Sequence, residues 1–264
     1  MKGERAASGW SIFEAALTLL LGHFGAAVRL SVVPFGLVAT VMLSILSTMG
    51  EWNVALPNIS SAQAGSLVVA AIAYATAACW VAVAWHRRIL LDEGGGLVPP
   101  FYGRAMWGYA WRIVVIFFIL AIAGLVIGIP MSLLGLGIGK TIGGAGGSTF
   151  GLLVSAFVTN LVLGALFYTI ALVLPARAVG RPIGFGDSMA AASGRFRALL
   201  LLAILTALFT LLLDLPATLD LSLGADLGIW AGFVLGLLVQ WFVFMLGLSI
   251  LTTLYAQLVE GHSA

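Results

Sequence analysis

The chain has 264 residues, of which 62% are hydrophobic and only 8% are charged, and its formal net charge is +2. Soluble domains carry about a quarter charged residues, so this composition excludes an ordinary soluble surface and indicates a membrane protein. The single cysteine, Cys79, excludes a disulfide framework and a multi-cysteine metal site within one chain. No cofactor is expected.

Six segments are long and apolar enough to cross a bilayer, which takes about 20 mainly apolar residues. The stretch "IVVIFFILAIAGLVIGIPMSLL" contains no charged residue at all. We therefore predict an all-α polytopic membrane protein with one integral membrane domain over residues 1–264. Its six transmembrane helices are expected at residues 28–49, 64–85, 113–134, 150–174, 198–217 and 227–256.

Amphipathic segments precede the first, third and fifth predicted spans. The first, "SIFEAALTLLLGHFGAAVRL", starts with Ser11 and Glu14 at capping-box spacing and carries one polar and one apolar stripe. The second, "FYGRAMWGYAWRI", places two arginines on one face beside tryptophans. The third, "GFGDSMAAASGRFRALL", has Asp187 or Ser188 as its expected N-cap. We expect three interfacial helices, the first with its apolar face toward the acyl chains.

Each amphipathic segment is followed by two spans and a polar closing segment: "AWHRRILLDE", "LPARAVGRP" and "LYAQLVEG". This recurrence favours a three-fold helical-hairpin repeat with units 8–98, 101–181 and 184–264. The alternative is chance, because any helical hairpin with an amphipathic lead has a similar pattern.

Lysine and arginine residues indicate the orientation, since their excess marks the cytoplasmic side. With six spans and a cytoplasmic N-terminus, only Lys140 falls outside. Both termini are therefore predicted to be cytoplasmic. The basic residues on that side are Lys2, Arg5, Arg29, Arg87, Arg88, Arg104, Arg112, Arg177, Arg181, Arg195 and Arg197.

Two stretches, "LPARAVGRPIGFGDSMAAASGRFRALLLL" at 174–202 and "LTTLYAQL" at 251–258, together with the six spans, carry a family resemblance. The chain resembles YciC-like bacterial inner-membrane proteins over nearly its whole length, and it is similar to the membrane domain of some glycerophosphodiester phosphodiesterases. The resemblance implies a six-helix bundle in the bacterial inner (cytoplasmic) membrane. It transfers no catalytic residue.

The glycine-rich stretch "GLGIGKTIGGAGGS" is similar to a phosphate-binding loop of nucleotide-binding proteins. Its spacing fails, because the position of the required first glycine is Leu134. It also joins two spans, whereas that loop connects a strand to a helix. We predict a flexible loop between the third and fourth spans, with neither nucleotide nor nucleic acid as a partner.

No catalytic pattern is recognisable in the chain. His23, His86 and His262 are scattered, and no carboxylate pair or nucleophile motif accompanies them. We therefore expect a protein that is not an enzyme. The most polar patch on the inner side is interpreted as a topology anchor with local ion pairs, and it contains Trp85, His86, Arg87, Arg88, Asp92 and Glu93.

Two sets of residues are the candidates for function. Membrane lipids, anionic ones in particular, are the expected partners of the juxtamembrane arginines, in a lipid-interacting or membrane-organising role. Asn160 and Gln240 are the polar residues nearest mid-span, and interhelical hydrogen bonds are their favoured role. In the alternative function, a transporter or channel for a small uncharged solute, they contact the solute. The headgroup candidates are Arg87, Arg88, Arg104, Arg112, Arg177, Arg181, Arg195 and Arg197.

Overall fold

The computed structural model describes residues 8–49, 61–93, 96, 98–218 and 229–261, and every regular element in these ranges is an α-helix. Lys2, Arg5 and His262 lie outside the described residues. The helices are α1 (Gly9–Gly22), α2 (Phe24–Met49), α3 (Ser61–Leu90), α4 (Gly103–Ile142), α5 (Gly144–Ile170), α6 (Val173–Ala178), α7 (Phe185–Ala192), α8 (Phe196–Thr218) and α9 (Ile229–Leu258).

Five of the described helical stretches are long and apolar enough to cross a membrane, so the protein is a multi-pass membrane protein. They are Phe24–Ile45, Ala64–Leu90, Gly103–Thr141, Phe150–Ala178 and Val234–Leu258. Helix α7 and the following Phe196–Phe209 of α8 qualify together as a sixth, bent by 96° at the break between them. All six predicted spans therefore coincide with apolar helices, and the sharp bend lies just before the predicted fifth span, 198–217.

Helix α1 packs inside the protein, and the prediction that its apolar face lies toward the acyl chains is wrong. Ile12, Ala16 and Leu20 are fully buried, and the helix packs on α8 and α9. A Cβ atom at Gly9 would lie 2.8 Å from the backbone nitrogen of Leu202, so the two backbones nearly touch. The predicted start is also displaced, because the side chain of Ser8 accepts the Ser11 N–H at 3.1 Å and caps the helix.

Helix α4 is continuous over 40 residues, about 60 Å, and replaces three predicted elements. The amphipathic segment before the third span is the first part of this helix and does not form a separate one. The predicted glycine-rich loop is helical as well, since only Gly143, with a φ of 94°, separates α4 from α5. Each glycine costs a helix only about 1 kcal/mol, which close packing against a neighbouring helix offsets.

The α4–α5 hairpin is held together where Gly135 meets Gly151. A Cβ atom on either glycine would overlap the carbonyl oxygen of the other. Nearer the middle of the helices, Gly124 and Gly128 face Leu163 and Thr159 at ordinary van der Waals distance. The close backbone approach therefore joins Gly135, from the stretch that the sequence predicts to be a loop, to Gly151 at the start of the predicted fourth span, and the lack of a side chain at both positions permits it.

Helix α7 is a separate short helix, as the third amphipathic segment predicts, but it starts earlier. Its N-cap is Gly184, whose N–H donates to Oδ2 of Asp187 at 2.9 Å. Asp187 is therefore the third residue of the helix, where its charge also suits the helix dipole. The hydroxyl of Ser188 donates to the carbonyl oxygen of Thr169 at 2.7 Å and fixes α7 against the end of α5.

The core is concentrated at one end of the bundle. Its largest fully buried side chains come mainly from the second half of α9, and α1, the end of α3, the start of α4, the chain around α6 and the start of α8 supply the others. In α4, by contrast, only 6% of the most apolar window is buried within the protein. Most of the surface of this part of α4 is therefore apolar and available to lipid.

The three-fold helical-hairpin repeat stays a prediction.

Candidate functional site

The three closing segments meet at the end of the bundle where the core lies. Nη1 of Arg87 donates to the carbonyl oxygen of Ala178 at 3.0 Å, which joins the first segment to the second. Arg181 and Glu260 form an ion pair at 3.2 Å, which joins the second to the third. His86 Nδ1 lies 2.8 Å from Oγ1 of Thr252, just before the third segment. We call these three contacts the closing ring, because together they connect all three segments.

Arg87 and Glu93 form the strongest polar contact of this region. Nε of Arg87 donates to Oε2 of Glu93 at 2.8 Å, and Nη2 donates to Oε1, so the pair is bidentate. The Tyr102 hydroxyl donates to the same carboxylate, and the guanidinium lies 4.2 Å from the centre of the Tyr102 ring. Arg88 pairs with Asp92 at 3.4 Å. The local ion pairs predicted for this patch are confirmed, and they tie the α3–α4 connection to the end of α3.

This arrangement predicts a pH-dependent stability. Hydrogen bonds from Arg87 are the main reason that the pKa of the Glu93 carboxyl lies below its ordinary value. A carboxyl with a lowered pKa stabilises the fold above its unfolded pKa of about 4.3, and the contribution is lost as the pH falls through the folded value. We expect Glu93→Gln to lower the Tm of the detergent-solubilised protein at pH 7, and the difference from wild type to shrink below about pH 4.

Asp92→Asn is the matched control for this prediction. The Asp92 side chain is 95% exposed, and asparagine tolerates its left-handed backbone, where φ is 49°. The Tm of this variant should follow the wild-type value at every pH. A Tm difference between Glu93→Gln and wild type that is constant from pH 7 to pH 3 would contradict the assignment.

His86 is fully buried and points into the core, whereas the sequence interpretation grouped it with the polar anchor. The Thr252 hydroxyl donates to the carbonyl oxygen of Leu248 at 2.8 Å, so its oxygen accepts the Nδ1–H of His86. Nε2 is then the acceptor for the Tyr109 hydroxyl, 3.3 Å away. These partners assign a neutral imidazole with its proton on Nδ1. It joins α3, α4 and α9, and neither Tyr109 nor Thr252 carries a sequence signal that would have singled it out.

The eight candidate arginines fall into two groups. Arg87, Arg88 and Arg181 are paired with Glu93, Asp92 and Glu260. Within the described ranges, the remaining five have no carboxylate within ion-pair distance. Arg195 lies in the break between α7 and α8, and Arg197 is in the first turn of α8. The side chains of Arg112 and Arg177 meet at Gly108, and Arg177 also donates to the backbone carbonyl of Arg104.

Asn160 and Gln240 do not lie in the core. The Asn160 side chain donates to the carbonyl oxygen of Ala156 on its own helix at 2.9 Å, so the predicted interhelical bond is wrong for this residue. It lines an open groove of about 410 Å³ on the α4–α5 hairpin, together with Gly128 and Thr159. Gln240 is exposed and forms no hydrogen bond with another of the residues that the structure describes.

No group of three His, Cys, Asp or Glu side chains that could hold a metal ion occurs among the described residues. No protein-family model matches the chain, and neither a curated protein nor a solved structure is similar to it. The resemblance to YciC-like proteins and to phosphodiesterase membrane domains therefore stays a prediction.

Proposed function

We propose that this multi-pass protein is a non-catalytic component of the bacterial inner membrane that binds anionic phospholipid headgroups at the end of the bundle with the closing ring. The observation that carries the proposal is the group of five arginines without carboxylate partners among the described residues: Arg104, Arg112, Arg177, Arg195 and Arg197. With this binding we propose a role in membrane organisation.

The position of the charges supports a cytoplasmic assignment for this end. The basic residues of α3, α4 and α6 gather near the closing ring, while Lys140 lies about 40 Å further along α4 than Arg112. That separation is comparable to the thickness of a bilayer with its headgroups. The positive-inside tendency supports the proposal that the arginine end faces the cytoplasm.

Electrostatics favours anionic lipid as the ligand. A lysine or arginine near an anionic membrane surface contributes about 1 kcal/mol to association, and the attraction weakens within a Debye length. An arginine that already has a carboxylate partner has much of its charge compensated locally. The five arginines without such a partner retain their full attraction for phosphate.

The alternative, a transporter for a small uncharged solute, receives less support. Asn160 faces an open groove on the hairpin surface and bonds to its own helix, and Gln240 is exposed. These contacts are those of polar residues at the protein surface. Solute flux into liposomes containing the protein remains the direct test of this alternative.

Native mass spectrometry tests the proposed function. The protein is reconstituted in phosphatidylethanolamine vesicles with a minority of phosphatidylglycerol, extracted in mild detergent, and its bound lipids are counted. We expect phosphatidylglycerol to be retained well above its share of the vesicle, and less so in a variant with all five arginines changed to glutamine. Circular dichroism checks that the variant remains helical.

The proposal fails if wild type retains the two lipids in proportion to their abundance. It also fails if the folded five-arginine variant retains as much phosphatidylglycerol as wild type does.

A further inference from the structure

Arg177 and Arg112 converge on one glycine, Gly108, at the first turns of α4. The guanidinium of Arg177 lies against Gly108, where a Cβ atom would be only 2.7 Å from its Cζ. Arg112, on the next turn of α4, donates from Nη1 to the Gly108 carbonyl oxygen at 3.2 Å. Glycine therefore provides the space in which a side chain from α6 reaches the surface of α4.

The donors of this cluster are only partly used. Nη2 of Arg177 donates to the carbonyl oxygen of Arg104 at 3.2 Å, while its buried Nε has no hydrogen-bond partner in the described part of the chain. Buried N–H groups without partners are uncommon in proteins, because each costs free energy. The Arg104 side chain is exposed one turn before Gly108. Arg104 takes part in the contact through its backbone carbonyl, so two guanidinium groups, those of Arg112 and Arg177, lie close together at Gly108.

The charge of the cluster is uncompensated. Within the described ranges, no carboxylate is within ion-pair distance of these three arginines. The nearest acidic residues along the chain are Asp187, which accepts the Gly184 N–H, and Glu93, which is engaged by Arg87 and Tyr102. Like charges that converge at short distance repel one another, and an anion between them removes that penalty. Phosphate fits best, because its oxygens match the forked donors of two arginines at once.

The neighbouring surface favours a lipid over free phosphate. Trp107 and Trp111 are 77% and 61% exposed beside the arginines on α4. Indole rings of this kind occupy the headgroup level of a membrane. The next turns of the helix expose large apolar side chains, including Val114, Phe117 and Phe118, which lie where acyl chains would run.

From this geometry we infer that Arg104, Arg112 and Arg177 form one phosphate-binding site for the headgroup of an anionic phospholipid, with Gly108 as its floor and Trp107 and Trp111 at its edge. The inference rests on the proposed function and assigns the lipid binding to three of the five arginines. Arg195 and Arg197, at the α7–α8 break, then serve topology and contribute little to headgroup affinity.

Two charge-matched double variants test the assignment. Arg112→Gln with Arg177→Gln removes two charges from the site, and Arg195→Gln with Arg197→Gln removes two charges elsewhere at the same end. Phosphatidylglycerol binding is measured by native mass spectrometry as lipid is titrated in detergent. We expect about a tenfold or greater loss of affinity in the first variant and no more than about twofold in the second.

Arg104→Gln is a further variant that tests the assignment even if Arg112→Gln/Arg177→Gln does not fold. This exposed side chain has no packing role, so the variant should fold as wild type and still bind phosphatidylglycerol several-fold more weakly. Inorganic phosphate and glycerol 3-phosphate are added as competitors to identify the source of the anion. Neither should displace the lipid at equal concentration, because neither contacts the apolar surface of α4.

The outcomes separate this inference from the proposed function. If wild type shows no preference for phosphatidylglycerol, both fail. If the preference survives in Arg112→Gln/Arg177→Gln and in Arg104→Gln but is lost in Arg195→Gln/Arg197→Gln, only the site assignment fails. Displacement of the lipid by inorganic phosphate at equal concentration would overturn the lipid as the ligand and leave a free-anion site.

Discussion

Replacing Gly151 with leucine is expected to lower the free energy of unfolding by about 3 kcal/mol or more, because it forces the α4–α5 hairpin apart. A Cβ atom at Gly151 would overlap the carbonyl oxygen of Gly135 and lie 2.8 Å from the carbonyl carbon. These are backbone atoms, which cannot rotate away as a flexible side chain can. The larger leucine side chain therefore has to move one helix away from the other.

The hairpin has few other contacts to compensate for this separation. Only 6% of the most apolar window of α4 is buried within the protein, and α5 is its main neighbour. In a membrane, apolar helix surfaces that separate become covered by lipid, so close packing has a larger share in stability than the hydrophobic effect. Unfolding in mixed detergent and sodium dodecyl sulfate micelles, followed by circular dichroism, measures the loss.

Gly137→Leu, on the facing helix α4 of the same hairpin, is the matched control. Nothing lies within 4 Å of the Cβ position at Gly137, so the same substitution adds an exposed apolar side chain there. Because leucine favours the helix over glycine by up to about 1 kcal/mol, this variant should be neutral or slightly stabilised. Equal stability of the Gly151→Leu and Gly137→Leu variants would show that the crossing does not hold the hairpin.

Replacing His86 with leucine should cost about 2 kcal/mol of stability, the second large effect that we predict. The substitution leaves the buried Tyr109 hydroxyl without its acceptor. The Thr252 hydroxyl keeps its bond to the Leu248 carbonyl oxygen, so the cost arises mainly at Tyr109. Unfolding of the purified variant under the same conditions gives the difference from wild type.

A double-mutant cycle separates this hydrogen bond from the change in packing. Tyr109→Phe removes the hydroxyl, so His86→Leu should be less costly in that background by about 1 kcal/mol. His23→Leu is the control, because His23 is exposed at the end of α1 and bonds only to Leu19 of its own turn. If the costs of His86→Leu and Tyr109→Phe simply add, the two side chains are not coupled and the assigned bond is absent.

The sequence was sufficient for the membrane architecture. Bilayer thickness imposes a length and composition on each span, and this constraint is local to the segment. The third predicted span, residues 113–134, is an example of this constraint. An uncharged apolar run of that length is the kind of segment that crosses the hydrocarbon core of a bilayer. The helix extends further than this prediction at both ends, because the arginine- and glycine-rich flanks at 103–112 and 135–142 continue it.

Contacts between segments that are far apart in the sequence determined the rest of the fold. The sequence predicts Gly135 to be in a loop and Gly151 to be at the start of the fourth span, whereas in the structure both are helical and their backbones touch. Only the packed pair of helices contains that information. In the same way, α1 is amphipathic in sequence, but whether its apolar face meets lipid or protein depends on whether α8 and α9 lie beside it.

The same distinction between local sequence information and tertiary contacts applies to the candidate site. Charge counting identified all eight arginines at one end of the bundle, because the positive-inside tendency acts on each loop separately. Whether the charge of an arginine is compensated depends on its tertiary partner. The partner of Arg181, for example, is Glu260, 79 positions away in the chain. The sequence by itself determined a helical multi-pass protein with its arginines at one end. Only the tertiary structure decided that Arg112 and Arg177 converge on Gly108, because that convergence needs α6 to pack against α4.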